Sequence, residues 1–230
     1  MSKATEHIYR TLRRTIISGE LPPGIQLKEE ELSDKFNVSR TPVRSAFRKL
    51  IHDGLVVKGE RRGIFVAEWT IADIQEVFRL RMLLEPHAAS QAAYKAKEEE
   101  IVELGELAEE MQRIYIEKKD NSIMEIQRNN HQFHTSIIQA SRSPRLQSML
   151  TPLIKAPVVI GAFHVYGDTE IKRSIHHHRD IVVALSIRDP ELVEELMRVH
   201  LHMSYISFMR SHSKQVSGRD THSDQGGEEA

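Results

Sequence analysis

The sequence predicts a mainly α-helical protein in two parts: three short helices with a β-hairpin, then an all-α antiparallel helical bundle. Three observations predict it. Apolar residues recur at helical spacing along most of the chain. Gly and Pro, rather than alternating strand patterns, punctuate those stretches. The β-prone runs, Leu55–Lys58 and Gly63–Val66, are short and sit together early. A first domain is therefore expected at residues 1–68 and a helical domain at 69–213. The tail at 214–230 carries Gly218, Gly226 and Gly227 among polar residues, has no apolar face, and reads as disordered.

Each element has its own signal. Residues 5–18 place Ile8, Leu12, Ile16 and Ile17 on one helix face, and Gly19 ends it. Glu20 to Gly24, with two prolines, is a turn. A second helix runs from about Lys28 to Phe36, with Leu32 and Phe36 at i, i+4. Asn37-Val38-Ser39 is a turn, and the next helix starts near Arg40. Ser39 or Thr41 can cap it, and Pro42 falls in the first turn, where its missing N–H costs nothing. Val43, Ala46, Phe47 and Leu50 form its buried stripe, and His52-Asp53-Gly54 ends it. The two strands follow, joined by Gly59-Glu60-Arg61-Arg62. This order is the winged helix-turn-helix arrangement. Thr70 with Asp73 makes a capping-box start to the bundle. Breaks are expected near Pro86, at Lys119-Asp120, at Ser143-Pro144, at Pro152, between Gly161 and Asp168, and at Asp189-Pro190, giving six or seven helices.

Composition narrows the function classes. At 230 residues, with 40% hydrophobic and 28% charged residues, the chain suits a soluble globular protein. No apolar run reaches the length of a membrane span, and no signal-peptide pattern opens the chain. The lack of cysteine excludes disulfides and thiolate metal sites, and fits the cytoplasm. The net charge of −1 hides a division: residues 1–68 hold 13 Lys and Arg against 9 Asp and Glu, and the remainder 19 against 24. A basic N-terminal piece on an acidic body suits polyanion binding.

In a helix-turn-helix the N-terminal end of the second helix enters the major groove. Here that end is Ser39-Arg40-Thr41-Pro42-Val43-Arg44. Arg40 and Arg44 lie at i, i+4, away from the apolar stripe, and a guanidinium matches the O6 and N7 edge of guanine. Thr41, Arg48, Lys49, Arg61 and Arg62 are better suited to phosphates.

Val38 to Arg44, Ala46-Phe47, Leu50, Asp53 to Val56 and Arg62 to Val66 resemble the GntR family of bacterial winged-helix regulators, as do Leu21 to Gly24 and Glu31-Leu32-Ser33. The resemblance implies that Arg40, Thr41 and Arg44 touch double-stranded operator DNA, supported by Ser39, Arg48 and Arg62, with Gly63 at the wing. Two positions depart: Glu30 stands where FadR-like members carry a DNA-contacting arginine, and Ser45 replaces a frequent glutamate. Phe78 to Pro86, Asn130 to His134, Ala140 to Leu146, His178 to Ile181 and Asp189 through Leu201 resemble the all-helical FCD effector domain of the FadR subfamily.

Three histidines lie on apolar faces of three helices: His134 with Ile126, Ile137 and Ile138, His178 with Ile181, Val182 and Leu185, and His200 with Val193, Leu196 and Met203. They either converge on a metal or are separate core-edge histidines. The resemblance implies the metal, because the metal-binding FCD domains use three histidines at these positions and an aspartate four residues before the first. Asn130 holds the aspartate position. It offers a neutral oxygen, so zinc or nickel would be held less tightly, or an anionic effector would matter more. His176, His177, His202 and His131 fall outside this set. Arg81, mid-helix in an apolar segment, reads either as an effector carboxylate anchor, as the resemblance implies, or as an internal ion pair with Glu85 at i+4.

The expected function is a ligand-responsive DNA-binding transcription regulator, a homodimeric repressor on a pseudo-palindromic operator. Its helical domain would bind a small carboxylate effector through a divalent metal, with Arg81 and Asn130 at the effector. A metal-responsive regulator is one alternative. A metal-dependent hydrolase is another, although Asp180, Glu170 and Glu194 form no recognisable acid–base arrangement.

Overall fold

The computed structural model describes residues 2–59, 63–156, 159 and 162–220. They fall into two compact units, one within Met1–Ile74 and Lys155–Gly161, the other within Gln75–Ile154 and Ala162–Ala230.

The first unit opens with α1, Lys3–Ile17, capped by Ser2, whose Oγ accepts from the Thr5 N–H at 3.1 Å. Helix α2, Glu29–Phe36, ends at Asn37, which adopts the left-handed conformation (φ 51°) that asparagine tolerates better than bulkier residues. There the Val38 N–H returns to the Ser33 carbonyl at 3.0 Å, closing the turn that leads into α3, Arg40–His52. Ser39 holds the N-cap position of α3 with an extended backbone but makes no side-chain cap bond. Val43, Ala46, Phe47 and Leu50 are buried with Ile8, Leu12 and Leu27. The hairpin strands are β2, Val56–Lys58, and β3, Ile64–Val66. A third strand, β1 at Gln26–Leu27, pairs antiparallel with β3 and gives the order β1-β3-β2. Two residues carry too little pattern for this strand to be visible in the sequence.

The second unit holds most of α4, Ile71–Lys95, then α5, Glu98–Glu117, α6, Ser122–Ala140, α7, Pro144–Ile154, a short α8, Ala162–Val165, α9, Asp168–Ser186, and α10, Pro190–Asp220. The start of α4 is the expected reciprocal box: the Thr70 N–H donates to Asp73 Oδ2 at 2.9 Å and the Asp73 N–H to Thr70 Oγ1 at 3.1 Å. Ala89, Ala92 and Ala93 face Leu104, Phe133, Ile181, Leu185, Met197 and Leu201 in the core. Alanines on one side let the larger side chains of the facing helices interdigitate at close packing.

Three expectations need correction. Pro86 does not break α4, which runs through it. A proline leaves the carbonyl four residues earlier without its helical donor; that carbonyl belongs to Met82, and Arg198 Nη1 from α10 donates to it at 3.3 Å. The break falls instead at Ala96-Lys97, where Arg188 Nη1 donates to the Ala93 and Ala96 carbonyls at 3.3 and 2.6 Å. Pro152 likewise lies inside α7. Finally, α10 continues through Lys214 to Asp220, so the first part of the expected disordered tail is helical; 221–230 lie outside the described residues.

Candidate functional site

In the first unit, Ser39, Arg40, Thr41, Arg44 and Arg48 are all exposed on one end and side of α3. The stripe of Val43, Ala46, Phe47 and Leu50 points inward and so fixes which way the arginines point. Neither leading arginine is free. Arg40 Nη2 donates to Glu30 Oε1 at 2.9 Å, and Arg44 Nε donates to Glu29 Oε2 at 2.7 Å. Both acids come from the first turn of α2, where they also complement the helix dipole. Arg48 Nη2 donates to Ser45 Oγ at 3.0 Å. Gly63 sits at the turn end of the hairpin, where a Cβ would fall 2.8 Å from the Phe65 ring. Glycine lets that ring cross the hairpin. Arg61 and Arg62 lie outside the described residues.

In the second unit, His134 of α6, His178 of α9 and His200 of α10 are buried, and each offers a ring nitrogen within 4.8 Å of the others. They come from three helices because each lies on its helix's apolar stripe. Their surroundings are short of partners. Both nitrogens of His178, Nδ1 of His200 and Oδ1 of Asn130 are buried without a hydrogen bond. His178 stacks on Phe133 with ring centroids 4.0 Å apart. Burial, then the neighbouring histidines, hold His178 and His200 well below the usual histidine pKa, so both are neutral near pH 7.

A carboxylate organises the cluster. Glu85 of α4 is buried and accepts from Arg81 Nε at 2.5 Å through one oxygen and from His134 Nδ1 at 2.6 Å through the other. Burial pushes its carboxyl up, but the Arg81 charge and the hydrogen bonds from His134 and Arg81 outweigh this and hold it at about 2. An ionised carboxylate only accepts, so the proton sits on His134 Nδ1. In the neutral ring the Nε2 lone pair then points at His200 Nε2, 3.2 Å away. Two nitrogens bound to one tetrahedral zinc at 2.0–2.1 Å would lie about 3.3 Å apart. The carboxylate–histidine pair is the outer-shell arrangement that fixes a metal-binding tautomer. The residues therefore fit a divalent cation, with three imidazoles and the Asn130 oxygen as the donors at hand.

The ion pair expected within α4, Arg81 with Glu85, is present, and it occupies Arg81 Nε. The bond from Glu85 to His134, across 49 residues of sequence, could not be read from helical spacing. His177, set aside in the sequence, is brought in: its ring meets His200 edge-on at 5.7 Å, and its Nδ1 is buried without a partner. Its adjacency to His178 was the available signal, since neighbours on a helix flank one groove about 100° apart.

Glu85→Gln strands the Arg81 cation in the core, and a cost of about 3–5 kcal/mol in urea unfolding is expected. Adding Arg81→Met should recover most of it, because the amide oxygen still accepts from His134. Equal instability of the single and double variants would contradict this arrangement.

Residues 4–66 match the bacterial regulatory protein gntR family and residues 76–203 match the FCD domain. The chain is 34% identical over 197 residues to the HTH-type transcriptional repressor RspR of Escherichia coli (strain K12), covering 85% of each chain. It is 26% identical over 201 residues to the gluconate operon transcriptional repressor of Bacillus licheniformis, covering 84% of this chain and 79% of that one. Its fold resembles that of E. coli McbR/YncC, with a TM-score of 0.72 at 23% identity over 92% of this chain and all of that one. These relatives are regulators and not enzymes, which sets aside the hydrolase reading. The chain belongs to the GntR family of bacterial transcription regulators, with a DNA-binding helix-turn-helix followed by an FCD domain.

Proposed function

We propose that this regulator is a homodimeric repressor whose FCD domain binds a small organic acid through a divalent metal, and that the acid decides when the protein holds its operator. The buried convergence of His134, His178 and His200 carries this reading. Unmatched nitrogens on His178 and His200, with an unmatched Asn130 oxygen one turn before His134, are an expensive arrangement in a core unless a cation draws on them. Zinc or nickel suits the nitrogen donors. A bound divalent cation supplies a positive, Lewis-acidic point for a carboxylate oxygen. The residues do the rest. Glu85 holds His134 in the tautomer that presents Nε2, Phe133 orients the His178 ring, and Asn130, being neutral, leaves the site's positive charge to the incoming acid. A relative named for a gluconate operon, gluconate being a carboxylate, agrees with such an effector. A bacterial operator lies in the cytoplasm, so the reading places the protein there.

On DNA, Arg40 and Arg44 would read base edges, with Ser39, Thr41, Arg48, Arg62 and the N–H groups opening α3 on phosphates, and Gly63 shaping the wing. Two copies match a pseudo-palindromic operator. Support for the second copy comes from α4, where Leu83 is 65% exposed and Tyr94 68%, on a seam with Leu80 and His87 at near-heptad spacing.

Two outcomes test these roles. In salt titrations on the duplex that the wild type selects from a random pool, Arg40→Ala with Arg44→Ala should weaken binding at least about tenfold. Glu29→Gln with Glu30→Gln should tighten it roughly two- to thirtyfold at low salt, because phosphates no longer compete with those carboxylates. Unchanged affinities would contradict both assignments.

Equilibrium dialysis should find one zinc per chain, lost in His178→Ala, and zinc at a thousand times its Kd should stabilise the fold by about 4 kcal/mol. Asn130→Asp should tighten zinc by adding a charged donor. A response of DNA affinity to zinc alone, with no acid, would favour the metal-responsive alternative.

Leu83→Lys should convert the dimer to a monomer in sedimentation; an unchanged mass would place the dimer face elsewhere.

A further inference from the structure

Helix α10 presents His200, Ser204 and Ser207 at i, i+4, i+7, a single face that leads away from the histidine cluster. Opposite it, α9 presents His177 and, one turn earlier, Arg173. Arg173 Nη2 donates to Ser207 Oγ at 2.9 Å, and the Tyr166 hydroxyl donates to the Ser204 carbonyl at 2.9 Å. Ser207 is buried and Arg173 half-buried. Among the described residues no carboxylate pairs with Arg173, although the other arginine of this region, Arg81, has its charge matched by Glu85. A guanidinium has five N–H donors, and the Ser207 hydroxyl takes one.

The surroundings add to the imbalance. His177 Nδ1 and His200 Nδ1 are buried without partners, on the two helices that carry Arg173 and Ser207. Asn130, His134, His178 and His200 are all neutral donors, so a divalent cation held there keeps its full charge. Arg81 and Glu85 cancel. Arg173, held at Ser207 seven residues beyond His200 on α10, then adds one more positive charge, and among the described residues no carboxylate is paired to it. One monocarboxylate leaves two of these three positive charges unmatched, and a dicarboxylate leaves only one.

We infer that Arg173 is the anchor for a second carboxylate, and that the effector of this regulator is a dicarboxylic acid with one end at the histidine cluster and the other at Arg173. This rests on the effector reading above and narrows it. Arg173 lies five residues before His178 on α9, about 7.5 Å along the helix axis and roughly 140° around it, and its side chain reaches the facing helix at Ser207. A flexible acid of four to six carbons covers that distance.

The test compares acids of matched length on the zinc-loaded protein: butyrate with succinate, valerate with glutarate, and caproate with adipate. The readout is the acid concentration that half-shifts the thermal midpoint, with retained zinc measured in each sample. At least one dicarboxylate should act at a concentration at least tenfold below its monocarboxylate partner. Arg173→Gln should remove that advantage while leaving zinc binding and the monocarboxylate response intact, and Arg173→Lys should keep part of it. Circular dichroism checks that both variants fold as the wild type does. A response to monocarboxylates with no dicarboxylate advantage overturns the role of Arg173 and leaves the effector reading standing, as does an advantage that survives Arg173→Gln. No response to any of the six acids overturns both.

Discussion

The helical unit is arranged about one buried carboxylate. Glu85 accepts from Arg81 and from His134, and so joins α4 to α6 through an interaction that neither helix makes alone. Taking a carboxylate and a guanidinium out of water is costly, and the cost is recovered only where every polar atom finds a partner. Glu85 is such a case, with both oxygens used. The consequence passes along the chain of contacts: the ionised carboxylate fixes the proton on His134 Nδ1, which turns a lone pair on Nε2 toward His200, and His178 closes the group against Phe133. The same carboxylate that satisfies Arg81 thus sets the tautomer that faces His200. A core that spent its polar groups only on its own stability would not leave both nitrogens of His178, Nδ1 of His200 and Oδ1 of Asn130 without partners.

Electrostatic balance is handled differently in the two units. In the helical unit one arginine is neutralised in the core and another, Arg173, is left with a hydroxyl. In the helix-turn-helix unit both leading arginines of α3 are exposed and rest against the glutamates that open α2. Exposed pairs of this kind are worth little to stability, and they are easily exchanged for a stronger anion. They hold the guanidinium groups in place at the surface without committing them, which suits side chains that must let go of one partner to take another.

The fold was legible where periodicity speaks. The buried stripes of α1 and α3, the Thr70–Asp73 box, the hairpin and the three inward histidines all follow from spacing along one segment. What spacing does not carry is the identity of partners from elsewhere in the chain. Pro86 reads as a break because its helix lacks a donor for the Met82 carbonyl, and the donor is Arg198 of another helix. The real break at Ala96 is closed by Arg188, again from a distance in sequence. Strand β1 has two residues and exists only by pairing with β3. Within the candidate site the same rule holds. His134, His178 and His200 were visible as separate faces, and Glu85 was visible as a partner for Arg81. Its second bond, to His134, and the inward placement of His177 were not.

The central claim is that Glu85 sets the tautomer of His134 and so prepares a cation site from neutral imidazoles. Long-range proton–nitrogen correlation spectra of histidine-labelled protein, with and without one equivalent of zinc, test it most directly. The account predicts that His134 is protonated at Nδ1 and bare at Nε2 before zinc is added, and that zinc shifts the ring nitrogens of His134, His178 and His200 together. A His134 protonated at Nε2, or a spectrum that zinc leaves unchanged, would contradict it.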